Sequence, residues 1–210
     1  MFAPPDSRVI ADFTHDGRPD LAAIADRGPV EIWSPAWAPT PVWRGLGKLH
    51  PVALLAADVE GDGRAELLVT VHKTARYDPT PRDRPFVFRW DGKDFQAIWR
   101  GTSLSRPFTH LAAGRVLKDG APKLVAAEWD RSGQVVPAAY SWTGFGFSGE
   151  WEGAAMPPCE GLLVIEPHGA PPAEVVAVAG AGHTREVLAF APASGQKEPV
   201  RRWRDRKSVV

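Results

Sequence analysis

The chain has 210 residues with 25 basic and 25 acidic side chains, a formal net charge of zero, so it exerts no long-range pull toward nucleic acid or an anionic membrane. At 44% hydrophobic residues it can pack a core for one substantial domain or two small ones. The only cysteine, Cys159, excludes an internal disulfide and a cysteine-rich zinc centre. No apolar run approaches the roughly 20 residues of a membrane span. The opening MFAPPDSRVIADF lacks the basic start, apolar stretch and cleavage site of a secretory signal.

In chain order, the first predicted unit covers about 6–46, with short runs at SRVIADF, DLAAIA, VEIWSP and TPVWRG. The second, about 50–102, repeats them as VALLAAD, ELLVTV, FVFRWDG and QAIWRG. The third, about 107–154, has THLAAGR, KLVAAEW, YSWTG and SGEWEG. The fourth, about 159–204, has EGLLVIEP, EVVAVAG, VLAFAPASG and PVRRWRD. Trp43, Trp99, Trp151 and Trp203 mark the repeat at spacings of 56, 52 and 52 residues.

Runs of about four to seven residues between Gly, Pro, Asp and Ser read as strands and turns. The 21 scattered prolines leave little room for long helices. The fold class expected is all-β, a β-propeller of four blades with four antiparallel strands each, forming a single domain over 1–210. The tryptophans then serve as core packing, with Trp37 in PAWAPT falling outside the series as an exposed candidate. No strand is visibly exchanged between the chain ends. Ring closure is therefore expected from direct packing of blade four on blade one; the alternative is half of a larger ring, completed by a second copy in a homo-oligomer or by further sequence.

Between the first and second strands of the second unit lies Asp58-Val-Glu60-Gly-Asp62-Gly63-Arg-Ala-Glu66, and in the first unit Asp12-Phe-Thr14-His-Asp16-Gly17-Arg-Pro-Asp20. Oxygen-bearing side chains at positions one, three, five and nine of a tight loop suit calcium, which takes six to eight oxygens. Glycine at position six permits the turn, and the carbonyl of Arg18 or Arg64 adds an oxygen. A metal-free turn is the alternative, because Asp-Gly pairs and flanking Asp or Thr side chains cap backbone amides unaided. The third unit has Arg115 and Lys123 at positions one and nine, so an internal ion pair is expected there instead of a metal. Unit four, Glu166 to Glu174, is poor in oxygens.

ADFTHDGRPDLAAI and ADVEGDGRAELLVT resemble the loop and second strand of the FG-GAP or VCBS repeat of integrin-like β-propellers. That resemblance implies structural calcium at one or two sites, with Asp12, Thr14, Asp16 and Asp20 as ligands in one. Asp58, Glu60, Asp62 and Glu66 would serve in the other. It also implies a non-catalytic module for adhesion, ligand binding or assembly, at the cell surface or outside the cell, with a protein or glycan partner. Thr14 departs from the family's usual Asn or Asp, and Glu60 and Glu66 are one methylene longer.

Two other readings stay open. One is a hydrolase or lyase acting on polysaccharide or peptide at the central mouth of the propeller, although the acids share one short loop and no nucleophile elbow or zincin motif occurs. The other is a lectin-like carbohydrate-binding module with Trp37 or Tyr77 on a rim. The six histidines form no metal-binding spacing, and Cys159, in a segment read as a loop, has no nucleophile signature. HKTARYDPTPRDRP, residues 72–85, reads as a loop inserted on a rigid scaffold. Its Arg76, Tyr77, Arg82 and Arg84 are candidate partner contacts, with Trp37.

Overall fold

The computed structural model describes residues 8–204 except 27, 77, 167–168 and 182–183. Every described sheet is a four-stranded antiparallel meander, sequential strands lying side by side. The first contains β1 (Arg8–Ala11), β2 (Asp20–Ile24), β3 (Val30–Trp33) and β4 (Trp43–Gly45). The second contains β5 (Pro51–Ala57), β6 (Glu66–Ala75), β7 (Asp78–Trp90) and β8 (Phe95–Arg100). The third contains β9 (Phe108–Gly114), β10 (Lys123–Trp129), β11 (Val135–Trp142) and β12 (Phe147–Glu152). The fourth contains β13 (Cys159–Ile165), β14 (Glu174–Ala179), β15 (Glu186–Phe190) and β16 (Arg201–Arg204). The sixteen strands among the described residues fall on the sixteen runs expected from the repeat.

The chain divides into two compact units: Met1–Leu104 with Gly144–Gly146, and Ser105–Thr143 with Phe147–Val210. In the first unit, Phe13, Ile32, Leu67, Val69, Phe86, Phe88 and Phe95 join one buried cluster. Phe95 is its aromatic hub, with ring centroids 4.9 Å from Trp43, 5.2 Å from Trp90 and 6.1 Å from Phe13. Trp43 also donates its indole N–H to Asp94 at 2.6 Å. The second unit repeats the device: Trp151 lies 6.1 Å from Phe190 and donates to the Gln196 carbonyl at 3.1 Å. In both units, then, an outer-strand tryptophan reaches the next sheet with its ring and its one polar atom.

The Trp-x-Gly motif has a steric basis. Residues two apart on a strand share a face, and the indoles of Trp43 and Trp99 lie across Gly45 and Gly101 where a Cβ would collide with them. A Cβ on Gly153 would meet the Trp151 ring at 2.9 Å. The fourth repeat has Asp205 in place of that glycine, and Trp203 is 50% exposed. Core packing, expected for the repeat tryptophans, therefore fails at Trp203, because β16 is an edge strand exposed along its whole length.

Two further expectations are corrected. Cys159 opens β13 rather than lying in a loop, and burial pushes its thiol pKa up, which makes it a poor nucleophile. The stretch 72–85 is not a loop: β6 and β7 pair as a long hairpin as far as Ala75 and Asp78.

Candidate functional site

The two acidic loops fold alike. Asp12 accepts the backbone N–H of Asp16 at 3.1 Å and of Gly17 at 2.9 Å, as Asp58 does from Asp62 at 3.0 Å and Gly63 at 2.9 Å. The position-five acids Asp16 and Asp62 each take the N–H of the arginine two residues on, at 2.9 Å. Gly17 and Gly63 have φ of 81° and 86°, a region closed to most side chains. Hydrogen bonds from Arg18 hold Asp16 below the usual carboxylate range.

The position-nine acids point inward. Asp20 is 0% exposed and accepts the Thr14 N–H at 2.8 Å. Glu66, also buried, accepts the Val59 N–H at 2.9 Å. With its extra methylene it takes the N–H donor one loop position earlier, at position two instead of three. Between them these bonds tie each loop to the strand that follows it.

What balances the inward charge differs from blade to blade. In the second blade Arg89, on β7, pairs with Glu60 and lies with its Nε 3.4 Å from Glu66 Oε1. Burial, followed by repulsion from Asp62 and Asp58, pushes Glu66 up to about 7; the long Arg89 contact does not offset it. In the third blade Lys123, itself buried, brings its ammonium to Asp119 and to Ser141 Oγ at 2.7 Å. The internal ion pair expected there is present. In the fourth blade Arg201 pairs with Glu174.

In the first blade the residue matching Arg89 in strand register is Ser34, whose hydroxyl meets that of Thr14 at 3.1 Å. Among the described residues no cation pairs with Asp20, and its buried Oδ1 has no hydrogen-bond partner. The donor set of Asp12, Thr14, Asp16 and Asp20 thus fits a hard cation, with one buried anionic oxygen unspent. As placed, the carboxylates do not converge: among the described residues no three His, Cys, Asp or Glu side chains are gathered for a metal ion.

The residues expected to meet a partner separate. Trp37 is 70% exposed. Arg76 is exposed beside the hairpin tip, and Arg82 is partly buried with its Nε 3.1 Å from Asp78. Tyr77 lies outside the described residues. Arg84 is the correction: it is 1% exposed and donates to the carbonyls of Lys73 at 2.7 Å, Asp78 and Thr80 at 3.1 Å each, and Thr102. A second bond reaches the Asp78 carboxylate at 3.1 Å. Its guanidinium is spent inside the hairpin, which it shapes.

Sequence reasoning also missed Glu128 on β10. It is fully buried and accepts from the Tyr140 hydroxyl at 2.7 Å and the Arg106 N–H at 3.3 Å. Burial raises its pKa against the lowering effect of the tyrosine bond. An alternating strand pattern hides such a residue, because β10 is buried on both faces.

No family model matches the chain, and no curated protein matches it. Among solved structures it is similar to a crystal structure of BBS1N in complex with ARL6DN, soaked with mercury. The TM-score is 0.55 and the identity 15%, over 92% of this chain and 54% of that one. This chain therefore spans about half the length of that one, and at such identity the likeness is one of fold. The fold is a β-propeller of four blades, each with four antiparallel strands. Among the described residues no helix is long and apolar enough to cross a membrane.

Proposed function

We propose that the chain is a non-catalytic binding and assembly module on a propeller of the FG-GAP or VCBS kind, with a protein partner and with calcium in its first acidic loop. The observation that carries the binding role is the β6–β7 hairpin. Burial of β6 ends at Val71, yet the strand continues for four more residues. The buried Arg84 clasp then holds the extension in shape. A projection that the blade core does not need, built on a rigid sheet, is the kind of place where binding surfaces form. Exposed Trp37 and Arg76 stand on the same unit. The similar solved structure is itself a complex of two proteins, which supports a protein over a glycan as partner.

Calcium would be held by Asp12, Thr14, Asp16, Asp20 and the Arg18 carbonyl, and its charge would stiffen the turn between β1 and β2. In the second loop, with Asp58, Glu60, Asp62 and Glu66, Arg89 competes for the same carboxylates, so calcium there is the weaker of the two. Calorimetry and thermal melting with calcium and with chelator test the metal. Binding heat and a higher melting temperature, both lost in Asp20→Asn, are expected; no heat and no shift would remove calcium. Cross-linking to partners with the hairpin intact and with 73–82 replaced by a short turn tests the binding role. Identical partner sets would overturn the hairpin as the binding element.

A further inference from the structure

Between the β6–β7 hairpin and the end of β8 lies an open groove of about 440 Å³. Its charged lining is of one sign: Lys73, Arg76, Arg84 and Arg100, with no Asp or Glu. The hairpin acids are already paired, Asp78 with Arg82 and with Arg84 of the groove wall, and Asp83 with His72 at 2.8 Å. Arg84 is committed to carbonyls and to the Asp78 carboxylate, so it builds the wall without offering free charge. Lys73 stands over the Phe86 ring, 5.9 Å from its centroid, and Arg100 is exposed at the end of β8. Among the described residues neither has an ion-pair partner.

We infer that this groove docks a short acidic segment of a partner protein, whose carboxylates pair with Lys73 and Arg100. The inference rests on the binding-module reading and specifies its partner. Cations lining one hollow, with the hairpin acids already paired, form a local positive field on a protein whose net charge is zero. Such clusters recognise acidic motifs by charge-assisted hydrogen bonds. A nucleic acid is recognised by proteins with a positive overall balance, whereas the formal net charge here is zero.

The test uses the full chain and fluorescein-labelled hexaglutamate in anisotropy titrations, with a hexalysine peptide, a single-stranded oligonucleotide and inorganic phosphate as comparison probes. Saturable hexaglutamate binding is expected, weakening with salt and falling at least tenfold in Lys73→Glu/Arg100→Glu. The same loss in Lys73→Met/Arg100→Met, with circular dichroism unchanged, separates lost pairing from new repulsion. Arg131→Glu, an exposed charge reversal on the turn between β10 and β11, should leave affinity unchanged. No hexaglutamate binding, equal loss in Arg131→Glu, tighter oligonucleotide binding through Lys73 and Arg100, or full displacement by phosphate would each overturn the proposal. Partners cross-linked through the chain that persist in Lys73→Glu/Arg100→Glu but vanish with Trp37→Ala would overturn the groove and leave the binding-module reading standing.

Discussion

Replacing Arg84 with methionine tests the claim that a buried guanidinium holds the β6–β7 hairpin in shape. Methionine fills much of the apolar stem but removes every donor, leaving the carbonyls of Lys73, Asp78, Thr80 and Thr102 without their partner. A buried acceptor left unpaired costs about 1–3 kcal/mol. Four such costs would approach the whole of an ordinary domain's stability, roughly 5–15 kcal/mol. Lys73, Thr80 and Thr102 are exposed residues, so water reaches most of these carbonyls and only one or two remain dry. The Asp78 pair adds a smaller amount, because Arg82 remains to pair with that carboxylate. The net expectation is about 2–4 kcal/mol. Because the loss falls on the hairpin, amide hydrogen exchange over 72–85 is the direct assay, with urea unfolding alongside. Exchange in the hairpin should accelerate by at least tenfold while the β10–β11 amides stay protected. Unchanged hairpin exchange with a stability loss below about 1 kcal/mol would refute the clasp.

Glu66 makes stability depend on pH. Its folded pKa, about 7, lies above the ordinary value of 4.5, so the folded state favours the protonated acid, and stability present at low pH is lost as pH rises from 4.5 through 7. At about 1.4 kcal/mol per unit the loss is at most roughly 3 kcal/mol; Glu66→Gln should flatten the profile of denaturant midpoint between pH 5 and 8, and an unaltered slope would contradict the assignment. Gly101→Ala should cost about 1–3 kcal/mol in urea unfolding by driving a methyl into the Trp99 ring, whereas Gly144→Ala, on an open turn, should show only the smaller cost of a positive φ. Arg89→Gln removes the counter-charge of the second loop, so calcium should raise its melting temperature more than it raises that of the parent chain; an equal or smaller shift would show that Arg89 does not compete with metal.

The amino-acid sequence by itself determined the strands, their grouping in fours and the acidic turns. Each is a local matter: a strand shows in a few alternating residues, and an Asp-Gly turn in the positive φ that glycine supplies. Trp-x-Gly was equally legible as a motif, and its steric reason needed only the shared face of residues two apart. Tertiary structure alone decided what balances each inward acid. Arg89 meets Glu66 across 23 residues and Lys123 meets Ser141 across 18, and such pairs follow from strand register, which no local pattern announces. The same reason took Arg84 from the surface to the interior, since its partners Lys73 and Thr102 lie 11 and 18 residues away. Asp20 stands without a cation because Ser34, not an arginine, faces its loop, and that contrast with Glu66 appears only when the blades are compared in register.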